Sequence, residues 1–146
     1  VKIYLDTCSL HRPLDNKTQL RVALEAEAVL GLLAKCERGT LALVSSEVLT
    51  LEVERNPQPQ KKAYVSSVLQ DAKTVITVND EIEERANILG KRGFKAFDAL
   101  HIASAESGSV DYLCTCDDRL LKKARQQTDL KVRVLSPLEL ANELPT

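Results

Sequence analysis

Hydrophobic and polar positions along this chain switch repeatedly between the two-residue period of strands and the 3.6-residue period of helices. The opening run Val1-Lys2-Ile3-Tyr4-Leu5 is rich in β-branched and aromatic residues and stays apolar to Leu5. Such a run predicts a central parallel strand covered on both faces. Asp6 stands where that strand should end. His11-Arg12-Pro13-Leu14-Asp15-Asn16 reads as a loop, and Thr18 is placed to cap a long helix reaching about residue 38. On that helix Val22, Ala26, Val29, Leu33 and Cys36 form an apolar stripe, and Gly39 stops it. Leu41-Ala42-Leu43-Val44 follows as a short buried strand.

Ser45 or Ser46 caps the next helix, which should run to Asn56 and end at Pro57. At about 100° per residue, Glu47 and Glu54 fall on one line and face water. Glu52 lies instead between Val48 and Leu49 on the apolar arc, where a carboxylate needs a partner or a route to the surface. Residues 61–72 predict a helix with Tyr64, Val65, Val68 and Leu69 inward, and residues 74–78 a strand. Asn79 or Asp80 caps a helix through Leu89, and Gly90-Lys91-Arg92-Gly93 turns the chain. Residues 94–105 form a further helix, on which Asp98, His101, Ile102 and Ala105 share a face. His101 there reads as a packed or hydrogen-bonded side chain rather than a catalytic base. Residues 110–114 make a strand, Thr115-Cys116-Asp117-Asp118 leads into a helix near Arg119, residues 131–135 form the last strand, and Ser136-Pro137 opens a final helix.

Strands separated by helical segments imply an α/β fold, a three-layer α/β/α sandwich around a parallel sheet. The 146 residues suit one domain over 1–146, with no repeat or linker. A net charge of −1 excludes a blanket polycation, and three Tyr, two Phe and no Trp leave little for base stacking. No apolar run approaches the ~20 residues that cross a bilayer, and no leader pattern opens the chain, so the expectation is a soluble cytoplasmic protein. Cys8, Cys36, Cys114 and Cys116 lack zinc-site spacing and read as reduced thiols.

In such a sheet Asp6, Asp117 and the helices carrying Glu52 and Asp98 can gather at the carboxyl edge. Four acids in one pocket repel each other, and a divalent cation resolves the conflict. Oxygen-only ligation favours Mg²⁺ or Mn²⁺.

At this point the chain resembles the PIN-domain nucleases, VapC-like toxin ribonucleases among them. The matching segments are Ile3-Tyr4-Leu5-Asp6-Thr7, Ser46-Glu47-Val48-Leu49-Thr50-Leu51-Glu52, Asp98-Ala99-Leu100-His101-Ile102-Ala103 and Thr115-Cys116-Asp117. The resemblance implies metal-dependent hydrolysis of RNA phosphodiesters and carries the catalytic, metal-ligating roles onto Asp6, Glu52, Asp98 and Asp117. Thr115 matches a hydroxyl residue that supports the last acid. Cys8 replaces an Asn frequent in the family, which implies one polar contact fewer. The Asp117-Asp118 doublet leaves the fourth acid open; spacing from Thr115 favours Asp117, with Asp118 as the helix cap.

An acidic site needs basic residues to bring in a polyanion, and Arg12, Lys91, Arg92, Lys95 and Arg119 are the candidates. The partners implied are an RNA substrate, an antitoxin protein and a second copy of the chain. Two rival readings differ in kind. A phosphatase of the haloacid dehalogenase type also has an Asp after its first strand, but it wants a second acid where Cys8 stands. A nuclease-like fold that only binds RNA or protein would not need all four acids.

Overall fold

The computed structural model describes residues 1–144, so the expected unit 1–146 extends two residues beyond the described ones. The opening apolar run forms β1 (Lys2–Leu5), joined by β2 (Ala42–Ser46), β3 (Thr74–Ile76), β4 (Tyr112–Cys114) and β5 (Arg133–Leu135). All pairings are parallel, and the sheet order is β3-β2-β1-β4-β5. Successive side chains of a strand point to opposite faces. Ile3, Tyr4 and Leu5 are all fully buried, so both faces of β1 are covered. One helical layer contains α3 (Glu47–Glu54), α5 (Asp80–Lys91) and α6 (Ala96–Ser107), packed together. Elsewhere α2 (Leu20–Glu37) packs against α8 (Pro137–Glu143). The result is the α/β/α architecture predicted. Among the described residues no helix is long and apolar enough to cross a membrane.

Several local expectations change. The segment after Asp6 is not all loop: α1 (Thr7–Leu10) and a 3-10 turn (Arg12–Leu14) occupy it. The long helix begins at Leu20, behind Gln19 and without a side-chain cap. Asn16 intervenes, its Oδ1 accepting the Thr18 amide at 2.9 Å, so the local turn competes with the expected cap. The buried line on α2 is Glu25, Ala26, Val29 and Leu32, while Leu33 and Cys36 are half-buried. Pro59 starts α4 (Pro59–Leu69), at the position where a missing amide costs nothing. Asn79 and Ser136 cap their helices as expected, the latter in a capping box with Glu139.

The chain runs outward from β1 to β2 and β3, then returns past β1 to β4 and β5. The order therefore reverses between β1 and β4, and ligands bind outside the strand ends at such a reversal. Asp6 follows β1 directly, its amide donating to the Cys114 carbonyl at 3.1 Å, and Thr115 follows β4.

Candidate active site

Asp6 is 5% exposed and is anchored from several sides. Its Oδ1 caps α1 by accepting the Ser9 amide at 3.1 Å, and the Cys8 thiol donates to the same oxygen at 3.1 Å. The thiol also accepts the Cys116 amide at 3.4 Å. Cys8, which stands where an Asn is frequent in the family, thus makes a polar contact to the acid of its own. Burial raises the Asp6 carboxyl above its ordinary range, against hydrogen bonds from Thr115 and Cys8 that pull it down.

Thr115 joins two acids. Its hydroxyl serves Asp6, and its Oγ1 accepts the Asp117 amide at 3.1 Å. Asp117 caps α7 (Asp118–Arg125), its Oδ1 accepting the amides of Arg119 at 2.9 Å and Leu120 at 3.3 Å. The cap is thus Asp117 and not Asp118. Asp118 turns away to Arg21, whose two guanidinium nitrogens reach its carboxylate at 2.7 Å each.

Glu52 is half-buried, while Glu47 and Glu54 on the same helix are exposed. Its Oε1 accepts from the Thr7 hydroxyl at 2.6 Å and lies 2.9 Å from His101 Nε2. Burial alone would raise the Glu52 carboxyl, but the His101 and Thr7 contacts outweigh it and hold it below the ordinary range. Behind His101 stands a buried line. The Tyr4 hydroxyl lies 2.6 Å from His101 Nδ1 and 2.7 Å from Ser46 Oγ, which accepts the Leu49 amide at 3.1 Å. Sequence reasoning missed Tyr4, Ser46 and Thr7. The signal for Tyr4 was present, since a buried Tyr needs a partner for its hydroxyl.

Asp98 sits in the first turn of α6, three residues after Lys95, and is not its N-cap. Its carboxyl is pushed up to about 6, by burial first and then by the charges of Asp6 and Asp117, with Glu52 adding to them. Asp98 is thus the acid that the charges of the other three reach. The four acids do not close into a cage: among the described residues, no three His, Cys, Asp or Glu side chains are grouped so that they could hold a metal ion. The donor chemistry still fits a hydrated Mg²⁺ or Mn²⁺, which keeps several waters and takes one or two protein carboxylates.

Two cavities open onto three of these acids, and Asp6 lines neither. Asp98 and Asp117 line one of ≈ 360 Å³ together with Lys95, Arg119, Lys122 and Lys123. Glu52 and Thr7 line another of ≈ 310 Å³ with His11, Arg55 and Lys61. Gly93, at φ +99°, reverses the chain before α6, a conformation strained for other residues, and its carbonyl accepts from Lys123 Nζ at 2.7 Å. Of the basic candidates, Lys95 and Arg119 are at the site. Lys91 is exposed at the end of α5 and lines a different cavity. Arg12 does not face the site as a free cation; it binds Glu25 and Asp15. Arg92 likewise pairs with Asp129 at 2.8 Å. Lys122, Lys123, Arg55 and Lys61 were not singled out from the sequence.

The fold is a five-stranded parallel α/β sheet with Asp6 and Thr115 directly after its two strands at the switch point. Residues 3–126 match the model of the PIN domain, and the chain belongs to the PIN-domain family. No curated protein matches it in sequence. Among solved structures, PAE2754 from Pyrobaculum aerophilum is 20% identical with a TM-score of 0.58, covering 98% of this chain and 88% of its own. VapBC2 from Rickettsia felis, bound to a DNA fragment from its promoter, is 15% identical with a TM-score of 0.60, covering 93% and 98%. VapC20 of Mycobacterium tuberculosis, described as a sarcin–ricin loop cleaving toxin, is 18% identical with a TM-score of 0.57, covering 90% and 98%. At these identities the likeness is one of fold.

Proposed function

We propose that this protein is a divalent-metal-dependent endoribonuclease, with Asp6, Glu52, Asp98 and Asp117 as its metal-ligating and catalytic carboxylates. The observation that carries the reading is the cavity that Asp98 and Asp117 line together with four cationic side chains, where burial and neighbouring acids push the Asp98 carboxyl up. An acid cluster of that kind is unfavourable by itself and is relieved by a cation. Mg²⁺ or Mn²⁺ there would polarise a phosphodiester and make water more acidic. The chain's own residues do the rest. Thr7 and His101 hold Glu52 ionised, Thr115 ties Asp6 to the Asp117 segment, and Lys95, Arg119, Lys122 and Lys123 supply positive charge for a phosphate backbone.

Basic cavities beside both Glu52 and Asp98 suit a continuous strand lying across the acids, and unpaired RNA enters such a compact site more easily than a duplex. The VapC and VapBC neighbours support the role of a toxin restrained by an antitoxin, with that partner and a second copy of the chain as the assemblies to look for.

Incubating the protein with a mixed RNA pool should give internal cuts in single-stranded or loop regions with Mn²⁺ or Mg²⁺, and none with excess chelator. Persistent cleavage in chelator would overturn the reading. Turnover of a small phosphomonoester without RNA cleavage would favour the phosphatase instead. Lys95→Ala and Arg119→Ala should each weaken RNA binding and lower the salt dependence by about one counterion. Binding measured at several salt concentrations checks this, and an unchanged slope would remove these residues from the RNA path.

A further inference from the structure

Resting on the nuclease reading above, we infer that His101 is a positioning residue: its Nε2–H, braced from behind by Tyr4 and Ser46, fixes the Glu52 carboxylate for its work on a bound cation.

The geometry determines the direction of the hydrogen bonds. An ionised carboxylate only accepts, so the Thr7 hydroxyl at 2.6 Å and His101 Nε2 at 2.9 Å both donate to Oε1. Whatever charge the ring carries, Nε2 must bear a hydrogen. Its other nitrogen, Nδ1, meets the Tyr4 hydroxyl at 2.6 Å. Tyr4 in turn meets Ser46 Oγ at 2.7 Å, and Ser46 is pinned by the Leu49 amide at the start of α3. Glu52 lies on that same helix. The line therefore begins and ends on α3 and passes through the end of β2, the central strand and α6, so it ties four elements together.

The ring has little freedom. His101 is 1% exposed, Tyr4 contacts it edge-on at 5.6 Å, and Phe97 stacks on it at 6.3 Å. With Oε1 occupied by two donors, Glu52 is left Oε2, which takes no hydrogen bond among the described residues. A carboxylate held through one oxygen presents the other in a single orientation. Partners of this sort orient metal ligands, and losing one typically costs about 10- to 100-fold in metal affinity.

Three variants test it. His101→Leu keeps bulk and removes the donor, His101→Gln keeps a donor near Nε2, and Tyr4→Phe keeps the ring and removes the brace. Each is titrated with Mn²⁺, the free ion being read by its electron paramagnetic resonance signal. The ¹⁵N shifts of the His101 ring are recorded without metal. We expect a proton on Nε2 in wild type, Mn²⁺ affinity about 10- to 100-fold weaker in His101→Leu, a smaller loss in Tyr4→Phe, and partial rescue by His101→Gln. If His101→Leu does not fold, the other two variants carry the comparison. A bare Nε2 in wild type overturns the inference. So do variants that lose thermal stability yet bind Mn²⁺ like wild type, since that pattern is purely structural and leaves the nuclease reading intact. Wild type that neither binds Mn²⁺ nor cleaves RNA would overturn both.

Discussion

Asp98→Asn is expected to lower RNA cleavage on the order of 10²-fold or more while raising the stability of the metal-free protein. The two effects have one origin. Burial first, and then the charges of Asp6 and Asp117, push the Asp98 carboxyl up to about 6. A carboxyl whose folded pKa lies above its unfolded value takes up a proton on folding. The Asp98 contribution to wild-type stability should therefore increase as pH falls from 7 through 6 toward the ordinary carboxylate range, where its penalty is fully relieved. Because Asp98 is half-buried and screened by solvent, the gain from Asn at pH 7 is about 1 kcal/mol, and it should vanish near pH 4. Added Mn²⁺ should raise the unfolding temperature of wild type by mass action, and that of the variant much less. Thermal unfolding with and without Mn²⁺ at several pH values, alongside cleavage in the same buffer, makes the measurement, with Asp71→Asn as the control. Were Asp98 only a first-turn helix residue, Asn would leave cleavage and the metal response unchanged.

Arg12→Ala should destabilise the protein by about 3 kcal/mol, lowering the unfolding temperature by roughly 10 °C. Glu25 is 2% exposed on α2 and accepts Nε and Nη2 of Arg12 at 3.0 and 2.7 Å. Removing Arg12 strands a buried charge, whose remaining cation among the described residues is Arg21 at 3.4 Å. Replacing both partners, as in Arg12→Leu with Glu25→Leu, should recover much of the loss, because no unpaired charge remains. Denaturant unfolding of the single and double variants checks this. An RNA-contact role would give the opposite result, weakened RNA binding at unchanged stability.

Arg12 also shows where reading the sequence stopped. A cation soon after a catalytic-type acid looks like a substrate contact until Glu25 is seen to be buried. The predicted stripe of Val22, Ala26, Val29, Leu33 and Cys36 did not include Glu25, which lies on the buried face of α2. The doublet Asp117-Asp118 failed similarly. Either acid could cap α7 by local spacing; Asp117 does, and Asp118 pairs with Arg21, a residue of α2 remote in the sequence.

What the sequence determined by itself was the part governed by local periodicity and strand-end placement. The apolar run Ile3-Tyr4-Leu5 made β1 central, helical phase separated Glu52 from Glu47 and Glu54, and the order of the short motifs supplied the family. These depend on angles of ~100° and 180° per residue, which any stretch of chain carries within it. Tertiary structure alone decided which groups face one another. The Tyr4–His101–Glu52 line, the Arg12–Glu25 and Arg92–Asp129 ion pairs, and the proximity that raises Asp98 join residues from 13 to 97 positions apart. Hydrogen bonds and charge interactions act over a few ångströms, so their partners are chosen only when the sheet order brings distant segments together.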